Sequence, residues 1–167
     1  MIPSLTEDCS RCAALCCVAL AFDRGESFAI DKPAGTPCPK LDGHLCSAHA
    51  TLEEDGFSGC VRYSCTGAGQ RVVQELFSGQ SWQDDAALLR PMMDAFRGMR
   101  AVQERLALLE ATKSLDLDAA DRTRARTLVA HLLPEAVTRD SVIDFPGSPL
   151  EREIDGFIRG LARYVTP

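Results

Sequence analysis

Apolar positions in the second half of the chain recur at intervals of three and four. Leu88, Met92, Phe96, Met99, Val102, Leu106 and Leu109 make one continuous stripe, which predicts a helix from about Asp84 to Lys113, led in by Ser81. Pro91 should kink that helix or mark a break within it. A second helix is expected from about Ala119 to Leu133, with Leu128, Val129 and Leu132 on its apolar face and Pro134 as its stop. The third start signal is the clearest. Ser148-Pro149-Leu150-Glu151 reads as a capping box with proline at the first helical position, and Leu150, Ile154, Phe157, Ile158, Leu161 and Val165 supply a buried face.

The first half has a different texture. Ser4 with Glu7 three residues later predicts a capping box and a helix beginning near Leu5. Beyond it, Pro33, Pro37, Pro39 and several glycines replace the periodic pattern with loops. The fold class expected is mainly α: a Cys-rich, loop-rich metal-binding half, residues 1–70, packed on a C-terminal helical bundle, residues 71–167.

Cysteine placement changes the picture most. All eight cysteines fall within the first 65 residues: Cys9, Cys12, Cys16, Cys17, Cys38, Cys46, Cys60 and Cys65. Thiols gathered so densely are held together either by disulfides or by a metal. The chain shows no secretory signal pattern, since acidic Glu7 and Asp8 precede the apolar run Ala13–Phe22. That run is also far short of the ~20 apolar residues that cross a bilayer. A cytoplasmic location is therefore expected, and in reducing cytosol clustered cysteines point to metal rather than disulfides. No membrane association is expected. The net charge of −6 argues against a nucleic-acid partner, which normally meets a basic surface.

On the predicted N-terminal helix, Cys9, Cys12 and Cys16 fall within roughly 60° of one another, while Cys17 points away. Three thiolates could then grip one centre, with a fourth ligand drawn from Cys38, Cys46, Cys60 or Cys65. His44 and His49 lie among these residues and could replace a cysteine, although surface-loop positions suit them better; His131 should be structural. Several signatures are absent. The Cys-x3-Cys-x2-Cys run of radical enzymes fails at Ala19, and the bacterial ferredoxin run is missing. All-thiolate ligation suits a [4Fe–4S] cluster, the favoured cofactor, with zinc as the alternative.

The run Cys9-x2-Cys12-x3-Cys16-Cys17, with spaced cysteines through a Cys60-x4-Cys65 ending, resembles the CxxCxxCC family of zinc- or iron-chelating domains. Flagellin lysine N-methylases resemble the same pattern, which implies an iron–sulfur centre. Asp8-Cys9-Ser10-Arg11-Cys12, Phe28–Gly35 and Gly67–Val72 more closely resemble the N-terminal module of certain actinobacterial proteins that continue into pentapeptide repeats. The likeness covers roughly residues 5–80, with three residues between Cys12 and Cys16 where the family name implies two, and no repeats follow.

The functional expectation is a metal- or iron–sulfur-binding protein in which all eight cysteines serve as ligands and the centre organises the N-terminal half. The resemblance also leaves open an iron–sulfur-dependent group-transfer enzyme, and a redox or metal sensor is a further alternative. No motif supplies a nucleophile or base, so catalysis stays undecided. A protein partner could dock through the helical tail. The Met92, Met93 and Met99 stripe suits a bundle core better than a binding groove, and Arg122, Arg124 and Arg126 suit a solvated helix face.

Overall fold

The computed structural model describes residues 2–165, so Met1, Thr166 and Pro167 of the two expected halves lie outside it. The fold is mainly α, as the periodicity requires. Among the described residues there are seven α-helices and one antiparallel hairpin, β1 (Leu41–Asp42) with β2 (Leu45–Cys46).

The organising element is α4, Leu89–Ala111. At ~1.5 Å per residue it is about 35 Å long. Its stripe is buried along the whole length, so one helix serves two cores. Met92, Ala95, Phe96 and Met99 pack with Ala13, Leu15, Ala68, Val72, Phe77 and Val142. Val102, Leu106 and Leu109 pack with Leu128, Leu132, Phe145 and Ile154. The first core fastens the cysteine-bearing segments to the bundle, and the second closes the bundle on itself. Met92 and Met99 are fully buried, so this stripe is core and not an open groove.

Pro91 neither kinks nor breaks α4. It lies in the first turn, where an N–H would have no intrahelical partner, and a 3-10 turn at Ala86–Leu88 leads in. The helix α5 (Ala119–Leu132) starts where expected, with Asp118 accepting from the Asp121 N–H. The last helix, α7 (Pro149–Gly160), is capped by Ser148, which accepts from the Glu151 N–H at 3.1 Å. Glu151 reaches back one residue further than a capping box requires, to the Gly147 N–H. Val165 departs from the expectation. It lies beyond the 3-10 turn Leu161–Tyr164 and is exposed, because the α-helical period that would have turned it inward ends at Gly160.

The main correction concerns the N-terminus. No helix runs from Leu5 through Cys16. A 3-10 turn at Cys9–Arg11 gives way to extended Cys12, Ala14 takes a left-handed φ of 51°, and only then does α1 run, Leu15–Ala19. Backbone groups that a helix would have paired internally are taken by distant side chains instead. Gln70 accepts from the Asp8 N–H (2.8 Å) and donates to Thr6 O (2.8 Å). Gln74 donates to Arg11 O and the Trp82 indole to Ala13 O. The expected capping pair is split: Ser4 Oγ accepts from the Thr6 N–H, and Glu7 accepts from the Ser64 hydroxyl.

Short helices hold the rest of this half: α2 (Ser58–Arg62) and α3 (Ala68–Arg71), the latter passing into a π turn at Val72–Leu76. The helical run Ala68–Leu76 crosses residue 70, the expected seam between the halves. Finally, α6 (Arg139–Ile143) begins at a reciprocal Thr138–Ser141 capping box and packs on α4.

Candidate metal centre

Three backbone devices bring chain-distant cysteines together. The first is α1, which presents Cys16 and Cys17 in succession, about 100° apart around the helix. Their Sγ atoms lie 3.9 Å from each other. The second is the seating of α3 against the Cys9–Cys12 segment. Cys65 O accepts from the Ala68 N–H at 2.9 Å, and Gly69 in the next turn faces Cys12. A Cβ at position 69 would stand 2.5 Å from Cys12 Sγ, so only glycine lets the helix come this near. The third is the link from Cys17 O to the Cys38 N–H (3.0 Å), continued by Cys38 O accepting from the Leu41 N–H. Leu41 is paired with Cys46 in the hairpin, which brings that cysteine to the same neighbourhood.

Cys38 is buried, Cys9 is exposed and the other six cysteines are half-buried; all eight are free thiols. Burial, followed by the neighbouring Cys16 and Cys65, pushes the Cys12 thiol up to about 12. The same causes raise Cys9. Burial, then the proximity of Cys16, Cys38 and Cys46, pushes Cys60 up to about 11. Cys16 is raised further, first by its contact with Cys17 and then by burial. Near neutral pH these groups are therefore thiols. A divalent cation would reverse that, releasing a proton from each ligand as the thiolate–metal bond forms.

Among the described residues, no three Cys, His, Asp or Glu side chains stand close enough together to form a finished metal cage. What the fold supplies is proximity, together with polar groups that lack partners. The Tyr63 hydroxyl, Thr66 Oγ1 and Arg100 Nε are buried without a hydrogen-bond partner. Tyr63 and Thr66 flank Cys65 in sequence, and the Arg100 guanidinium stacks 5.1 Å above the Tyr63 ring. Buried orphan donors are rare, and here two belong to residues flanking Cys65 in sequence and the third to the arginine that covers the Tyr63 ring. Anionic thiolate or sulfide sulfur is an acceptor that would satisfy such donors, so the donor set fits a four-thiolate metal or cluster.

Lys32 is the other unexpected group. It is only 3% exposed and has no carboxylate partner among the described ion pairs. Its ammonium donates to Leu20 O, Thr36 O and Pro33 O and lies 4.7 Å from the Phe22 ring centre. Phe22 in turn stacks on Phe28, with ring centres 4.3 Å apart. Burial lowers the Lys32 pKa, and the nearby thiols of Cys38, Cys17, Cys16 and Cys60 act in the opposite direction.

The histidines stand apart. His44 Nε2 lies 2.9 Å from Ser81 Oγ, while His49 and His131 are exposed. Arg124 pairs with Glu153, and Arg122 donates to Leu117 O, as expected for a solvated helix face. No helix of the described residues is long and apolar enough to cross a membrane.

Known proteins add little to this geometry. The chain is similar to the uncharacterized protein YybG of Bacillus subtilis (strain 168). The two are 40% identical over 124 residues, which is 74% of this chain and 44% of YybG. The chain thus spans less than half of that relative. No described protein family matches the chain, and no solved structure does.

Sequence reasoning missed Gln70, Gln74, Trp82, Tyr63, Arg100 and Lys32. Each acts through tertiary contact, and none stands at a spacing that would announce it. The Gly67–Val72 stretch carries no structural role in the sequence reading. Its physical content is the close approach of Gly69 to Cys12 and of Gly67 to the N-terminal chain.

Proposed function

We propose that the chain is a cytoplasmic metal- or iron–sulfur-binding protein in which Cys9, Cys12, Cys16, Cys17, Cys38, Cys46, Cys60 and Cys65 are the ligands. A [4Fe–4S] cluster is the first-choice cofactor and zinc the alternative. The observation that carries this reading is the return of Cys65, more than forty residues along the chain, to Cys12 and Cys16 against one core, with α3 seated between Cys65 and Cys12. Unpartnered donors at Tyr63, Thr66 and Arg100 add support, because a sulfur acceptor would satisfy them. The bound group supplies the binding energy that draws the thiols together and holds the loops between Pro33 and Cys65. This chain's own residues do the rest: α3 and the glutamines seat the N-terminal ligands, and Lys32 sets a positive charge beside the others. The helical half serves as scaffold, with its apolar stripe committed to the core and only exposed faces left for a protein partner. The resemblance to the CxxCxxCC family accords with this function and brings no catalytic residue with it.

The test is purification of the full chain without oxygen, followed by iron, zinc and sulfide analysis and an absorption spectrum. Iron with matching sulfide and a brown charge-transfer band is expected for the cluster, and colourless stoichiometric zinc for the alternative. A folded chain with none of these refutes the proposal.

A further inference from the structure

We propose that the eight cysteines divide into two adjoining four-thiolate centres, Cys9–Cys12–Cys16–Cys65 and Cys17–Cys38–Cys46–Cys60, with α1 as the wall they share. The division rests on the metal-binding reading above and goes beyond it by assigning every ligand.

The wall itself leaves two possibilities. A separation of 3.9 Å between Cys16 and Cys17 Sγ suits either two ligands of one ion or the touching corners of two centres. The remaining six cysteines decide between them, because they fall on opposite sides. Gly69 of α3 lies against Cys12, the Cys65 carbonyl holds the start of α3, the Cys12 N–H donates to Cys9 O, and Cys12, Cys16 and Cys65 pack against one core. On the other side, Cys38 is hydrogen-bonded to Cys17, Cys46 arrives through the hairpin, and Cys60 follows Gly59, which lies against the Phe28 ring that stacks on Phe22 beneath Lys32. Each side therefore has three cysteines and takes one from α1. Adjacent helical positions diverge by about 100°, which directs Cys16 and Cys17 to different neighbours.

Each side also has its own group suited to an anionic occupant. The first has the orphan Tyr63 and Thr66 hydroxyls. The second has Lys32, a buried ammonium whose positive charge has no carboxylate beside it. An isolated buried charge is costly, and a divalent ion with four thiolates carries a net negative charge that would offset it. Loading a divalent ion releases four thiol protons per centre and changes no oxidation state; a [4Fe–4S] centre would be transferred already assembled, with its sulfide and oxidation state unchanged, for the same four protons.

The experiment uses the full chain with Cys65→Ser, Cys46→Ser and the double substitution, each purified without oxygen and analysed for metal per folded chain. The division predicts that each single variant keeps half of the wild-type metal and the double variant none. Cys17→Ser should behave as Cys46→Ser does. Loss of all metal from either single variant, with helical circular dichroism retained, overturns the division but leaves metal binding standing. Wild-type chain without metal overturns both. As a check that needs no cysteine variant, wild-type chain stripped of metal and refilled with cadmium alone should bind two ions and show two cadmium resonances in the tetrathiolate range. Saturation at one ion refutes the division.

Discussion

Replacing Gln103 by leucine tests how the bundle holds the cysteine half. Gln103 is fully buried in the middle of α4, at a stripe position where an apolar residue would be expected. Its amide donates to Thr66 O (2.7 Å) and Ser4 O (3.1 Å) and accepts from Arg71 Nη1 (3.0 Å). One side chain thus ties α4 to the start of the chain, to the residue after Cys65 and to α3. Leucine nearly matches glutamine in volume, so the cavity term is small and the polar term dominates. Ser4 is exposed enough for water to reach its carbonyl, and Arg71 keeps its two bonds to Glu75. That leaves Thr66 O and one guanidinium N–H unsatisfied, at roughly 1–3 kcal/mol each. The expected loss is about 3 kcal/mol, equivalent to a fall in Tm of roughly 6–12 °C for a domain of this size. Thermal and urea unfolding of the loaded protein measure it, and removal of metal by a chelator should accelerate in parallel. A loss below about 1 kcal/mol would show that the hub is replaceable and that the seating of the cysteine half lies elsewhere.

Gly69→Ala should turn Cys12 away from its partners, since the new methyl would stand 2.5 Å from Cys12 Sγ; lowered metal affinity with unchanged bundle unfolding is expected, and unaltered affinity argues against Cys12 as a ligand. Phe96→Ala, at a fully buried site, should lower stability by about 3–5 kcal/mol without altering metal per folded chain, read by denaturation and metal analysis. The pH dependence follows from the raised thiols. Folding lifts Cys12 to about 12 and Cys60 to about 11, above the ordinary cysteine value of about 8.5, so the unfolded chain loses these protons first. Metal-free protein should therefore keep its full stability below about pH 8.5 and lose it progressively as pH rises through 11 and 12. Loaded protein, whose thiols have already shed their protons, should be flat across the lower part of that window, and identical profiles for the two forms would count against ligation.

The helices beyond residue 81 were legible because burial of one face imposes its period on the sequence. The α5 cap at Asp118 and the α7 cap at Ser148 lie within a residue of the expected starts. The N-terminal helix was misread for a physical reason. Its capping signal and cysteine spacing are local, whereas the outcome depends on Gln70 and Trp82, more than sixty residues away in sequence, which take the backbone bonds a helix needs. Five-residue α6 was hidden by its length, although Thr138 and Ser141 formed a readable cap. For the site, the proposed ligand type could be named from the sequence, because eight thiols fall in so short a stretch. Which thiols neighbour which was not, since that depends on α3 reaching Cys12 and on the hairpin returning Cys46. Lys32 and the orphan hydroxyls could not be foreseen, as their significance lies in what surrounds them and not in their spacing.

The central claim is that these thiols are ligands, and the metal and sulfide content of anaerobically purified full-length chain tests it most directly. The account predicts iron with equivalent sulfide in a brown protein, or stoichiometric zinc in a colourless one, lost from the Cys46→Ser, Cys65→Ser double variant. A folded wild-type chain free of both metals, with all eight thiols open to a thiol reagent, would contradict it.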